Sequence, residues 1–332
     1  MKDLDRFPLS QKLLCAAAAT LAIAWAPSAA AEANAAYPQR PVRVVVPYSA
    51  GGNTDIIARE VMRRVADKLG QPFVVDNKPG GNSIIGTDIV AKAAPDGYTL
   101  LIAIGAYANN FALYKKLPFA PSDLAPVTQL TKTSLVLVTA RPAAGTPRQL
   151  ASLGNDSAAP LTYASSGMGS AAHILSERFV RAAGMTASQH VPYKGTTDAV
   201  SDLLSDRVGF MFDAVSAMGP HIKSGKLKAL AVTGESRSPV LPDIPTMREA
   251  GYPDMGAYAW AGLLAPATTP RPIVERLAVT TAEVLKDPEL VKKLASISTE
   301  PVGSTPAQFG QFIRSESESN GKLIQSLGVS LD

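Results

Sequence analysis

Residues 47–55 read P-Y-S-A-G-G-N-T-D, and the reading of this stretch decides how the rest of the 332-residue chain is understood. It follows the β-branched run Val42–Val46 and precedes Ile56–Leu69, where Ile56, Ile57, Val61, Val65 and Leu69 recur at helical spacing. The junction is therefore a strand, a tight glycine-containing loop and a helix start. A helix start leaves backbone N–H groups without partners inside the helix, and an anion can accept their hydrogen bonds. Gly51 and Gly52 let the backbone approach a ligand with no Cβ in the way. The competing reading is a structural turn. A dinucleotide loop would need G-x-G-x-x-G after the strand, and a P-loop would need G-K-[ST]; neither occurs here. Asp55, acidic in the first helical turn, is expected to cap rather than to touch a ligand.

Outward from this stretch, the chain falls into a leader and a globular part. Lys2, Arg6 and Lys12 precede the short apolar run Leu13–Trp25, and Ala29-Ala30-Ala31 supplies small residues at the cleavage positions. This is the pattern of a secretory signal peptide over residues 1–31, with an apolar run too short for a membrane span. The single cysteine, Cys15, lies inside that run, so the mature chain is expected to have neither disulfide nor thiol chemistry. A formal net charge of +4 with no Lys/Arg block excludes a nucleic-acid footprint. The three histidines, His173, His190 and His221, lack metal-ligand spacing, so neither a metal nor a cofactor is expected.

From Tyr37 on, strand and helix patterns alternate, which argues for an α/β fold with a largely parallel sheet. Strands are expected at 42–46, 73–76 and 99–104, with helices at 56–69 and 84–94 between them. Gly105–Asn110 then reads as a loop at the carboxyl end of the third strand, where ligands sit in open α/β sheets. Leu113–Pro126 reads as irregular, and Val127–Leu130 and Leu135–Thr139 as two extended segments. A second α/β unit repeats the opening device in S-S-G-M-G-S-A-A-H, Ser165–His173, after the strand 161–164. Short strands are expected at 189–191, 208–212 and 228–233, with Thr196 or Thr197 capping a helix over 198–204. Asp213 would follow the strand 208–212. The segment 259–264 looks extended, and the helical patterns 272–285, 288–295 and 306–327 return to cover the first unit. The expected division is lobe 1 at 37–137 plus 257–332 and lobe 2 at 138–256.

The mature chain resembles the extracytoplasmic solute receptors of tripartite tricarboxylate transporters, the Bug-type receptors. The resemblance is carried by Y-P-x-R-P-V-R-V-V-V-P-Y-S-A-G-G-N-T-D, V-D-N-K-P-G-G-N-S-I-I-G, P-D-G-Y-T-L-L and Y-A-S-S-G-M-G-S-A-A-H. It continues through V-P-Y-K-G, F-M-F-D, H-I-K-S-G-K-L-K-A-L-A-V-T, L-P-D-I-P-T and E-P-V-G-S-T-P, in order over nearly the whole mature chain. It implies a type II periplasmic-binding-protein-like fold, two lobes with a ligand cleft between them and two crossovers. It further implies capture of a small carboxylic acid for membrane permease subunits, and a carboxylate held mainly by backbone amides and water. By position, the implied ligand residues are Tyr48, Ser49, Ala50, Gly51, Gly52, Asn53 and Asp55 from the first loop, and Ser165, Gly167, Ser170 and His173 from the second. Tyr193, Lys194, Gly195 and Asp213 complete the second lobe's set, and Gly105, Ala106 and Tyr107 come from the loop after the third strand.

Two departures from the family's pattern fall in these loops. Tyr107 stands where the family commonly has histidine, and Asp198 where it has proline. Tyr107 inclines the expectation toward an aromatic or longer apolar acid. Tyr48, Tyr107 and Tyr193 fit the walls of an apolar cleft, or equally ordinary packing. Lys194 is the one cation expected in a cleft loop. Ser165 and Ser170 also leave a serine-hydrolase reading open, although G-x-S-x-G does not occur. An accessory protein that senses a carboxylate is the third reading. The expected state is a monomer that opens and closes.

Overall fold

The computed structural model describes residues 37–156, 159–193, 195–328 and 331. The expected signal peptide, residues 1–31, and Lys194 lie outside the described residues. In the first lobe, β1 (Val42–Val46) pairs in parallel with β2 (Phe73–Asn77) on one side and β3 (Thr99–Ile104) on the other. Between β1 and β2 runs α1 (Asn53–Leu69), which buries Ile57, Val61 and Val65 on one stripe and stops at Gly70, φ 72°. It begins three residues before the expected Ile56, because Gly52 in extended conformation already turns the chain into the helix. The helix after β2, α2 (Ile84–Ala91), packs beside β3.

Two expectations are corrected here. Gly105–Asn110 is the start of a helix, α3 (Gly105–Leu113), and not a loop. Asn109 and Asn110 favour turns by propensity, but both are buried and their amides find tertiary partners, which removes that preference. Likewise the two extended segments around 127–139 are one strand, β4 (Leu124–Thr139). Its polar middle, Thr131–Ser134, interrupts the apolar pattern yet continues the ladder, because it pairs with β9 (Tyr258–Pro266).

The second lobe repeats the plan. Its strands β5 (Thr162–Ser165), β6 (Gln189–Pro192) and β7 (Phe210–Ala214) pair in parallel, and β8 (Lys228–Val232) pairs antiparallel with β4. Strand order is β2-β1-β3-β9-β4 in the first lobe and β6-β5-β7-β4-β8 in the second. Each lobe is thus a parallel trio followed by an antiparallel strand that comes from the other lobe. β4 passes from pairing β9 to pairing β7 between Ser134 and Leu135. The chain returns through Ala257, whose N–H donates to Thr233 O at 3.2 Å.

Helices cover both faces of each sheet. In the first lobe Val44, Val46, Leu100 and Ile102 pack on α1 and on α8 (Arg271–Val284), while Val45, Leu101 and Leu264 face α10 (Pro306–Leu327). α10 lies so close to β9 that a Cβ on Gly262 would fall 2.0 Å from Phe309 Cζ. In the second lobe Tyr163, Phe210 and Phe212 pack under α5 (Ala171–Ala182) beside Phe179, and Val136, Val138 and Met211 pack on the opposite helices. Burial of each such side chain contributes roughly 1.5–3 kcal/mol. These two cores hold the strand ends, and the loops that leave them, facing each other.

Candidate functional site

Between the lobes lies a cleft of about 1070 Å³. Its first-lobe wall is Pro47–Thr54, Pro79–Ser83, Ile104–Ala106 and Asn109. Its second-lobe wall is Ser166–Met168, Ser170–Ala172, Tyr193, Gly195–Asp198, Asp213 and Ala214, and the crossing strands supply the floor at Thr131, Thr133 and Tyr258–Ala261. Besides α2, whose first N–H donates to Gly81 O, four helices start at this cleft without a side-chain cap: α1 after Gly52, α3 after Ile104, α6 (Thr196–Leu204) after Gly195 and α7 (Val215–Lys223) after Ala214. Their first N–H groups are left for a ligand or water. The expectation that Thr196 or Thr197 caps α6 is corrected: the helix starts at Thr196, whose hydroxyl instead donates to Asp213 Oδ2 at 2.8 Å.

The first-lobe loop is held from behind by Asp55. Its carboxylate accepts from Gly51 N at 3.0 Å, Arg59 Nε at 2.9 Å and Asn77 Nδ2 at 2.9 Å. Asn77 Nδ2 also donates to Tyr48 O. Burial pushes the Asp55 carboxyl up, but the bonds from Arg59, Gly51 and Asn77 together with the Arg59 charge outweigh it and set the pKa below the ordinary value. Asp55 therefore braces the loop and does not line the cleft.

The second-lobe loop is held differently. Ser165, fully buried at the end of β5, has its Oγ 2.7 Å from His190 Nε2 and 3.0 Å from Gly167 O. Ser170 caps α5 by accepting the His173 N–H at 3.2 Å. His173 is buried, and its Nδ1 accepts from Gly169 N at 3.0 Å. The two imidazoles stack at 4.0 Å, and the Tyr163 ring stacks on His190 in turn. Burial, then the neighbouring His173, pushes His190 down to about 3, while Glu177 opposes.

Both lobes touch across the cleft. Asn109 Nδ2 donates to Gly169 O at 2.7 Å, and Ser216 Oγ to Asn53 Oδ1 at 3.4 Å. Gly169 has φ +70°, and a Cβ there would lie 2.2 Å from Leu113 Cδ1 of the other lobe. Arg178 on α5 donates to Asn320 Oδ1 on α10 at 2.8 Å.

A family model described as "Tripartite tricarboxylate transporter family receptor" matches residues 57–329. The chain belongs to this family. Among its relatives is Protein BugT of Bordetella pertussis, 37% identical over 300 residues, 89% of this chain and 91% of BugT. The solved structure of R. palustris Rpa4515 with adipate is 32% identical, with a TM-score of 0.82 over 89% of this chain and 100% of that one. MatC (Rpa3494) from Rhodopseudomonas palustris with bound malate is 31% identical, with a TM-score of 0.77 over 87% of this chain and 100% of MatC. The two-lobed, doubly crossed architecture is accordingly the type II periplasmic-binding-protein-like fold of this receptor family.

Within that family frame, the structure brings Tyr48, Ser49, Ala50, Gly51, Gly52 and Asn53 to one wall, with Gly105 and Ala106 beside them. Gly167, Ser170, Tyr193, Gly195 and Asp213 stand on the other. Asp55, Ser165, His173 and Tyr107 are corrected from contacts to supports. Tyr107 is 3% exposed and packs against Phe111 and Phe119, so it supplies no argument for an aromatic acid. The Tyr193 hydroxyl is turned to Asp202 at 2.7 Å and, through burial first and Asp202 second, is pushed up to about 12. Asp213 is raised by burial, against the bonds from Ala214 N and Thr196.

Neither serine of the hydrolase reading is set up as a nucleophile: Ser170 Oγ is engaged as the cap of α5. Ser165 has no exposure to the cleft, and a histidine held near 3 is too weak a base to activate it. Several cleft residues escape sequence reasoning: Asn82, Ser83, Thr131, Arg178, Trp260 and Glu316. Asn109 lies in the segment Gly105–Asn110 that the sequence reading places beside the ligand. Arg178 and Glu316 meet at the cleft only because α10 folds back over α5, and burial raises the Glu316 carboxyl against the nearby Arg178 charge.

Proposed function

We propose that this protein is a periplasmic receptor that closes two lobes on a small carboxylic acid and presents it to membrane permease subunits. The observation that carries the reading is the convergence of four uncapped helix starts, from both lobes, on one cleft. A carboxylate buried there exchanges water for charge-assisted backbone hydrogen bonds, which avoids a desolvation cost of several kcal/mol. Adipate and malate in the two related structures supply the ligand class. The ligand residues are those of the two walls, with Tyr48–Asn53, Gly105 and Ala106 opposing Gly167, Ser170, Tyr193, Gly195 and Asp213. Lys194, between two of them, belongs to the same proposal.

The division into lobe 1 (37–137 plus 257–332) and lobe 2 (138–256) is part of this reading, supported by the change of strand partner between Ser134 and Leu135. So are delivery through a cleaved leader and a monomeric state. Among the described residues no helix is long and apolar enough to cross a membrane. The protein works by binding and release, with no reaction and no cofactor. Thermal unfolding in the presence of adipate, malate, benzoate and other mono- and dicarboxylates tests the reading. A ligand at 100-fold its Kd stabilises by about 2.7 kcal/mol, a rise of several degrees in Tm. A Tm unmoved by every acid in the panel overturns it.

A further inference from the structure

The loop Ser165–Ser170 meets the cleft on one side and a buried polar cluster on the other, and Gly169 connects the two. Both backbone groups of Gly169 are engaged: its N–H donates to His173 Nδ1 at 3.0 Å, and its carbonyl accepts from Asn109 of the opposite lobe at 2.7 Å. An Nδ1 that accepts a hydrogen bond carries no proton, so the neutral imidazole has its hydrogen on Nε2, which points at Glu177 Oε1, 3.7 Å away. We propose that His173 is the positioning residue of the second-lobe loop, and that its hold on Gly169, and through Gly169 on Asn109 and lobe closure, exists only while the imidazole is neutral. The inference rests on the receptor reading above.

The chemistry leaves one place for an added proton. Protonated imidazole has N–H on both nitrogens, so the second proton goes to Nδ1 and sets two donors face to face at the Gly169 amide. That amide must then turn away, and its carbonyl turns with it. The groups facing His173 are Glu177 one turn along α5, His190 from β6, and Tyr163 from β5, whose hydroxyl bonds Glu177; Arg181 acts on Tyr163 from the same helix. Glu177 offers the cation a partner, whereas stacked His190 is held neutral and cannot share the charge. Arg178 is turned the other way, toward α10.

Two measurements test this on the full mature protein. Long-range proton–nitrogen correlation spectra of the unliganded protein should place the His173 hydrogen on Nε2 at pH 8. On acidification the second proton should appear on Nδ1, with protection of the Gly169 amide from exchange falling in step with it, about tenfold once that proton is fully bound. An Nδ1–H tautomer at pH 8, or a Gly169 amide unchanged as His173 titrates, overturns the proposal. This arm needs no ligand and no variant, so it stands even where the carboxylate reading fails. Adipate titration calorimetry is the second arm: wild-type affinity should fall over the pH range in which the spectra show Nδ1 gaining its proton, about tenfold by the end of that range. In His173→Asn a side-chain oxygen replaces Nδ1 as acceptor without titrating, so its affinity at pH 8 should lie between those of wild type and His173→Ala, with a flat profile. A His173→Asn profile as steep as the wild type's overturns the proposal.

Discussion

The two ligand-facing loops are the same device with different supports. Pro47–Asp55 and Ser165–Ser170 each leave a parallel strand and enter a helix, and each is tied from behind by a side chain in the first helical turn. In the first lobe that side chain is an ionised carboxylate, Asp55, which accepts three bonds and faces Arg59. In the second it is a neutral imidazole, His173, stacked on a second one, His190. A carboxylate only accepts hydrogen bonds, whereas the bonds an imidazole makes change with its protonation. One fold thus braces one jaw with a charge and the other with an uncharged ring.

The largest effect that separates the jaws is acid destabilisation. His190 is held near 3, far below its ordinary 6.5, so from 6.5 downward the unfolded chain binds a proton that the folded chain refuses. Stability is therefore intact above the unfolded value and lost as pH falls from 6.5 toward 3, by several kcal/mol over the whole window. Urea unfolding at pH 7 and pH 4 should show this loss, and His190→Gln, which does not titrate, should remove most of the slope. Equal slopes in the two proteins would mean that the imidazole pair is not the acid-sensitive element.

The first jaw breaks by a different route. Asp55→Ala leaves the Gly51 N–H, Arg59 and Asn77 without their shared acceptor, and should cost about 2–3 kcal/mol at pH 7, discounted because Arg59 is half exposed. The Asp55 carboxyl lies below its unfolded value, so its contribution is complete above that value and is lost only as pH falls through the lower, folded one. The variant and the wild type should converge in stability at strongly acidic pH and differ fully at pH 7. A difference that is the same at both would show that Asp55 acts through packing and not through its charge.

The legibility of the two jaws in the sequence differs for a physical reason. Val42–Leu69 announces its strand, turn and helix through local periodicity, and an acid in the first turn points to a helix-start role for Asp55, which the structure turns into a brace on the Gly51 N–H ahead of the helix. The sequence points His173 toward the ligand, since a polar residue beside a hydroxyl-rich loop looks the same from sequence whether it faces the cleft or the core. Its inward direction is decided by His190 and Tyr163, on strands whose place beside α5 no local pattern encodes. Tyr107 misled for the same reason: residues 105–113 form a helix that rotates its ring into Phe111 and Phe119. The polar middle of β4 hid a continuous strand, because its hydrogen bonds go to β9, which is more than a hundred residues later in the chain.

The smallest effects concern how the jaws meet. Two cross-cleft bonds differ in quality: Asn109 to the Gly169 carbonyl at 2.7 Å, buried, and Ser216 to Asn53 at 3.4 Å, partly exposed. Asn109→Ala also removes the acceptor of the Asn320 amide, which donates to Asn109 Oδ1 at 3.0 Å and keeps only its 3.4 Å bond to Glu316, so the loss is one good buried bond and part of another. At about 1 kcal/mol, adipate affinity should fall roughly fivefold, because the bond favours the closed lobes that retain ligand. Ser216→Ala removes a long bond whose partner stays in contact with water and should change affinity by less than about twofold. Calorimetry on both variants orders them. If Ser216→Ala costs as much as Asn109→Ala, closure is gripped evenly from both jaws, and the second-lobe loop loses its special place. If only Asn109→Ala matters, the grip runs through Gly169, the residue whose other backbone group is held by the imidazole.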